Sequence, residues 1–363
     1  MQTDALDFNL PDAQIAAVPA EPRDSARLMV CRRGGGVEHA HVRDLPQLGL
    51  LHPGDLMVKN HTRVLRARLA GTRAATGGRV GGLLLAYDRR RWTVLLESGG
   101  RLQPGERITL GADITLLLES RDEQARWTAT LEGKADTPSV LDAAGLTPLP
   151  PYLLAQRRRG GLPDERPEDF ERYNTVFAHG AAQQPAPRSV AAPTAGLHLT
   201  AALLHTLVQQ GVAQADVTLD IGPGTFAPVR TDVIEDHPIH GETLRVPAAT
   251  TAALNQTRRA GRRILAVGTT TVRAIESLPP GHPATDFAAE THLFITPDRV
   301  ASGDFAWQHT DALLTNFHLP KSTLLALVAA LPGVGVAQLL DWYDTAVRSG
   351  YRFYSFGDAM VVV

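Results

Sequence analysis

Cysteine is almost missing: Cys31 stands alone among 363 residues, so no intrachain disulfide forms and no cysteine-built zinc site can be assembled. No apolar run approaches a membrane span, and Met1 to Asp12 has neither the basic start nor the hydrophobic stretch of a secretory leader. The cytoplasm is therefore the expected compartment, with no membrane partner. An excess of one charge is absent too, since the formal net charge is -2, which removes any general case for nucleic-acid binding. Lysine is scarce. Of 36 basic residues only Lys59, Lys134 and Lys321 are lysines, and arginines gather in Arg89-Arg90-Arg91, Arg157-Arg158-Arg159, and Arg258-Arg259 with Arg262-Arg263. Each cluster reads either as a solvated face or as a set of phosphate contacts. The remaining composition, 44% hydrophobic and 20% charged, is that of an ordinary globular chain long enough for about two domains.

The pattern along the chain changes twice. Gly54 to Leu69 reads as strands, and Val80 to Tyr87, Trp92 to Glu97, Arg107 to Leu110, Ile114 to Leu118 and Arg126 to Leu131 follow as β-prone runs divided by short turns. That spacing predicts a small closed barrel. After Pro138 to Pro151, helix-length segments alternate with apolar strands, as in an α/β layer architecture. The expected arrangement is a layered α/β domain from residues 1-68 and 150-363, with a β-barrel inserted at 69-149.

Three strand-to-helix junctions carry polar residues. The first is Arg188 to Thr200, a small-residue loop that uncovers its backbone and ends in His198, before a helix capped by Thr200 with an apolar stripe of Leu203, Leu204, Leu207 and Val208. The second is strand Ile264 to Val267, then Gly268 and the threonines that open a helix through Ile275. The third is Leu313 to Thr323, where His318 and Lys321 precede a helix expected from Pro320. Ligands of open α/β sheets sit at the carboxyl ends of strands, so junctions of one kind point to a shared site. Strand Val217 to Ile221 also runs into Gly222-Pro223-Gly224-Thr225, a turn with little side-chain cover.

His237, His240 and Glu242, in His-Pro-Ile-His-Gly-Glu, invite a metal reading. Pro238 and Gly241 break any helix that would place both imidazoles on one face, so a proton-transfer role, with Glu242 orienting a histidine, and a plain turn stand beside it. No metal is expected.

Asp7 to Pro11, Arg23 to Val30, Gly54 to Leu69, Leu149 to Tyr152, Tyr173 to Ala178, Ser189 to Thr200, Gly222 to Arg230, His237 to Glu242, Gly268 to Ser277, Leu314 to Leu325 and Tyr351 to Met360 together resemble the S-adenosylmethionine:tRNA ribosyltransferase-isomerase family of queuosine biosynthesis, nearly end to end. The resemblance implies an α/β domain with an inserted barrel. It also implies a reaction in which the ribosyl part of S-adenosylmethionine passes to 7-aminomethyl-7-deazaguanine (preQ1) in the tRNA anticodon and is isomerised, giving epoxyqueuosine and releasing adenine and methionine. S-adenosylmethionine is then a consumed substrate and no cofactor is needed. The sulfonium acidifies the C5′ hydrogens, so a base starts an elimination, an acid helps adenine leave, and a further group takes the surplus proton of the attacking amine.

The clustered junction residues receive roles accordingly. His198 is the first choice for proton transfer and His318 the second, with His240 and Glu242 as a pair. Tyr152, Arg188, Thr194, Gly196, Gly222, Gly224, Thr225, Gly268, Thr269, Thr270, Arg273, Asn316 and Lys321 are candidates for binding substrate, and Arg63 and Arg352 for contacting tRNA. Asn60 and Asp358 read as turn or capping residues. Departures from the family pattern stand at His61 (usually Asp or Asn), Asn174 (Gln), Leu199 (Phe), Asp220 (His), Pro223 (Ala) and Ile239 (Met), and Thr296 to Trp307 is looser. A paralogue with another acceptor, a non-catalytic RNA-binding module and a metal-dependent hydrolase remain alternatives, and the chain is read as a monomer with its oligomeric state left open.

Overall fold

The computed structural model describes residues 1–111, 113–178, 189–222 and 229–363. Strands β1 (Arg27–Cys31), β2 (Val37–His41) and β3 (Leu56–Asn60) precede a run of six, β4 (Arg68–Arg73), β5 (Arg79–Asp88), β6 (Arg91–Ser98), β7 (Arg107–Gly111), β8 (Ile114–Arg121) and β9 (Trp127–Glu132). β10 (Ala213–Leu219), β11 (Glu242–Val246), β12 (Ile264–Val267), β13 (Phe287–Thr291), β14 (Ala312–Asn316) and β15 (Ala359–Val362) follow. They form a nine-stranded mixed sheet, ordered β13-β11-β10-β3-β12-β14-β15-β1-β2, and a closed antiparallel barrel, β4-β5-β6-β9-β8-β7.

The centre of the sheet, β10-β3-β12-β14, is parallel. β3, β12 and β14 are buried at every position, because cover on both faces is what a parallel core needs. Alternation sorts their side chains. Leu56, Val58, Ile264, Ala266 and Leu313 enter one apolar core, while Met57, Leu265, Val267, Ala312 and Leu314 enter the other. The barrel has its own core around Trp92, Ile108, Leu116 and Trp127, and the Trp92 indole donates to Thr137 Oγ1 at 2.7 Å. At its closing seam, where Thr72 pairs with Thr109, a Cβ on Gly71 would stand 2.4 Å from the Thr109 carbonyl. Only glycine lets those strands meet.

The α/β layers and the barrel thus appear as the composition and spacing predict, with local differences. His61 to Ala67 is not a strand but a crossing segment, tied by the Val64–Ser189 bridge. The helix expected from Pro320 begins at Thr323, because Lys321 sits at φ 54°, outside helical space. Gly268, at φ 87°, is the N-cap of helix Thr269–Glu276, and no threonine side chain caps it. Among the described residues no helix is long and apolar enough to cross a membrane.

The arginine clusters are largely spent on structure. Arg157 and Asp169 form a two-pronged pair at 2.5 and 2.7 Å with both side chains fully buried. Arg158 pairs with Asp164, Arg159 with Asp12 and Arg258 with Asp311. Arg90 donates to the carbonyls of Leu131 and Ala135.

Candidate active site

Parallel strands deliver their carboxyl ends to one edge, where backbone amides and following loops are left for ligands. Here β3 ends at Asn60, β10 at Leu219, β12 at Val267 and β14 at Asn316. A cavity of about 340 Å³ opens there, within the range of about 300–1,000 Å³ usual for small-molecule sites. Its wall combines the loop Ala191 to Ala195, the turn Gly268 to Thr270, the segment Thr315 to Leu324, Tyr152, Tyr354 and Ser355.

The lined surface is mostly apolar, and several of the polar groups on it are held from behind. Asn60, 1% exposed, makes four hydrogen bonds: its Oδ1 accepts from Thr62 N and Leu219 N, and its Nδ2 donates to Leu219 O and Thr270 Oγ1. It makes the Asx-type bond of a turn residue to Thr62 and at the same time clasps two strand ends. Thr194 Oγ1 donates to Asn316 Oδ1 at 2.9 Å, and Asn316 Nδ2 donates to the Tyr354 carbonyl at 3.1 Å. Lys321 lies at the rim, its ammonium between Asp4 and Asp7 at 2.8 and 3.0 Å. Two residues without glycine's freedom, Lys321 at φ 54° and Tyr354 at φ 71°, occupy left-handed backbone on this wall, strain of a kind that gathers at functional sites.

His318 lines the cavity, 9% exposed, with Nε2 3.0 Å from Thr315 Oγ1 and its backbone N–H donating to the Tyr343 hydroxyl. Burial pushes its pKa down from 6.5 to about 4, so the ring is neutral at physiological pH. Between those two values the unfolded chain takes up a proton that the folded chain refuses, so stability is fully present above pH 6.5 and falls as pH drops. This ring alone is expected to remove up to about 3 kcal/mol by pH 4; burial lowers His198 and His61 as well, in the same direction. Urea midpoints at pH 7, 6 and 5 check this, with a shallower decline expected for His318→Gln. An unchanged slope in that variant would count against the buried neutral ring.

His198 is placed differently. It is 4% exposed, with Nδ1 3.1 Å from the Ala195 carbonyl and Nε2 2.9 Å from the Gly357 carbonyl. It faces a small cleft beside Arg23, Arg172 and Phe356, and Ser355 is the residue that this cleft shares with the main cavity. The two imidazoles thus come to neighbouring cavities, not the same one. Gly196 packs under Phe177, where a Cβ would approach its ring to 2.7 Å.

A smaller cavity of about 60 Å³ holds five further sequence candidates, His237, His240, Glu242, Arg273 and Gly222, and shares Thr323 and Leu324 with the main one. Glu242 is ion-paired with Arg273 Nη1 while Arg273 Nε donates to the Leu293 carbonyl at 3.0 Å. Arg273 Nη2 is buried without a hydrogen-bond partner among the described residues. Burial, then repulsion from His240, lowers the His237 pKa. Among the described residues no three histidine, cysteine or acidic side chains converge as metal ligands.

End-to-end likeness now joins this geometry. The model of a family described as queuosine biosynthesis protein matches residues 3–362. Similar proteins include the S-adenosylmethionine:tRNA ribosyltransferase-isomerases of Erythrobacter litoralis, 41% identical over 100% of this chain and 98% of the relative, and of Gloeobacter violaceus, 44% identical over 99% and 96%. The chain belongs to the queuosine biosynthesis family. Within solved structures, this family member is similar to S-adenosylmethionine tRNA ribosyltransferase from Thermotoga maritima, with a TM-score of 0.53 and 30% identity over 99% of this chain and all 100% of that one.

Of the family member's other candidate residues, Tyr152 lines the cavity with its ring centroid 4.5 Å from that of Tyr354 and its hydroxyl on Ser355. Gly268, Thr269, Thr270, Thr194 and Asn316 all line it. Arg63 is exposed, just past the end of β3, whereas Arg352 holds Asp358 at 3.0 Å. Arg188, Gly224 and Thr225 lie outside the described residues. Sequence reasoning missed Thr315, Tyr354 and Ser355. The polar -Thr-Asn- end of β14 marks the first, but no spacing brings residues 354 and 355 to a wall built mainly by residues 191–195 and 268–324.

Proposed function

We infer that this chain transfers and isomerises the ribosyl moiety of S-adenosylmethionine onto preQ1 in tRNA, giving epoxyqueuosine and releasing adenine and methionine. The observation that carries this reading is a cavity of nucleoside size at the strand ends in a chain that matches named ribosyltransferase-isomerases from end to end. The reaction belongs in the cytoplasm, where its tRNA substrate is found.

His318 is the proton acceptor. Its ring, held at Nε2 by Thr315, is unprotonated at physiological pH and so open to a proton from the C5′ position that the sulfonium acidifies. An apolar wall suits this, because a neutral base does not repel a cationic substrate. His198 acts one layer back by holding the loop of residues 194–198 against Gly357. The smaller cavity, with Arg273 and Glu242, receives the amino-acid end through its shared wall. The turn at Gly268 to Thr270, with Thr194, Asn316 and Tyr152, contacts the nucleoside, and Arg63 contacts tRNA phosphate.

The experiment incubates the protein with S-adenosylmethionine, with and without tRNA bearing preQ1, and measures free adenine and nucleoside mass. Adenine is expected to appear only with the modified tRNA, together with the epoxyqueuosine mass. Adenine release with an unchanged tRNA nucleoside would move the activity to another acceptor.

A further inference from the structure

Hydroxyl groups are ambiguous in hydrogen bonding until a neighbour removes one of their options. At this cavity one threonine has lost its donor option while the other keeps its proton free. The Asn316 amide is oriented by the Tyr354 carbonyl, which accepts from Nδ2, so Oδ1 faces Thr194 and takes its hydroxyl proton. What Thr194 offers is acceptor lone pairs. Asn60 is oriented by Leu219 and Thr62, so its Nδ2 faces Thr270 and occupies a lone pair there at 3.3 Å. The Thr270 hydroxyl proton has no acceptor among the described residues, and it serves as a donor. Both side chains line the main cavity and are only partly buried, while Asn60 and Asn316 behind them are 1% and 3% exposed. They are close: a Cβ built on Gly268 would stand 3.4 Å from Ala195 Cβ and 3.7 Å from Thr270 Oγ1, so the loop of Thr194 and the turn of Thr270 flank one glycine.

We propose that Thr194 and Thr270 form a specificity pair, with the polarity of Thr194 fixed by Asn316, that selects a 6-aminopurine over a 6-oxopurine, Thr194 accepting from the exocyclic amine and Thr270 donating to the adjacent ring nitrogen N1. The inference rests on the reading of the cavity as a nucleoside site and extends it to the base. A 6-oxopurine inverts both partners: its carbonyl meets Thr194 lone pairs and its N1–H meets the Thr270 proton. Thr270 can rotate to adapt, but Thr194 can adapt only by leaving Asn316 Oδ1 buried without its donor, a cost that makes Thr194 the stronger discriminator.

The test is equilibrium binding to the full chain of S-adenosyl-L-homocysteine and its deaminated counterpart S-inosyl-L-homocysteine, neither of which carries a reactive sulfonium. The wild type is expected to prefer the amino compound by about 10–100-fold, the effect of one or two mispaired groups. Thr194→Val should bring that ratio to within about threefold while Thr194→Ser keeps it. Where Thr194→Val does not fold, Thr270→Val, which leaves Asn316 untouched, is expected to lower the ratio in the same direction. Equal affinity for both compounds in the wild type, or full preference retained in Thr194→Val, overturns the pair while leaving the nucleoside site in place. If neither compound binds and no adenine is released with preQ1-tRNA, the nucleoside reading falls and the pair falls with it.

Discussion

His318→Gln is expected to lower kcat for adenine release by about 10²–10⁴-fold, the usual loss when a positioned proton-transfer group is removed. Binding of S-adenosyl-L-homocysteine and the thermal midpoint should change little. Glutamine retains a polar tip near Thr315 Oγ1 but cannot carry a proton between states. Single-turnover rates at saturating tRNA and S-adenosylmethionine make the comparison free of product release. A variant within about threefold of the wild type would take His318 out of the chemistry. Since burial holds this ring near pKa 4, wild-type kcat/KM should also stay level from pH 8 to 6 rather than fall around 6.5.

The largest stability effect is expected at a residue far from any ligand. Arg157→Leu removes the partner of Asp169, both groups being 0% exposed, and leaves a carboxylate whose other bond is from Arg166 N at 2.7 Å. An abandoned buried charge of this kind costs about 3–5 kcal/mol. The double variant Arg157→Met with Asp169→Leu should regain most of it, because an apolar pair no longer requires a charge to be desolvated. Denaturant titration reads both. Loss of less than about 1 kcal/mol in the single variant would mean that water reaches Asp169. Activity is expected to follow stability here, since helix Pro151–Arg159 carries Tyr152 into the cavity wall.

Legibility in the sequence tracked the range of the forces involved. Barrel strands such as Trp92 to Glu97 are visible because alternation and turn residues act over a few positions, and helix Ala201–Gln209 begins where Thr200 accepts from Leu203 N at 3.2 Å. β1, β2, β11, β13 and β15 carry no comparable mark: they are four or five residues long and are strands because of partners distant in the chain. At the site, the polar strand ends at Gly268 to Thr270 and Asn316 to His318 announce themselves. The relation between His198 and His318 does not, because which side of Ser355 an imidazole occupies depends on how residues 351–358 cross the sheet end. Asn60 illustrates the same limit, since a turn-forming amide and a buried clasp look alike until Leu219 and Thr270 are in place.

β15 lies between β14 and β1, antiparallel to the former and parallel to the latter. The N-terminal hairpin therefore has no seat in the sheet until the final strand is inserted, and Arg27 N waits for Asp358 Oδ1 across 331 positions. During synthesis residues up to 362 must be made before β1 can dock, a long-range closure that slows assembly and leaves edges unpaired meanwhile. The same stretch brings Tyr354 and Ser355 to the cavity wall, so the segment that ties β1 into the sheet also completes the pocket.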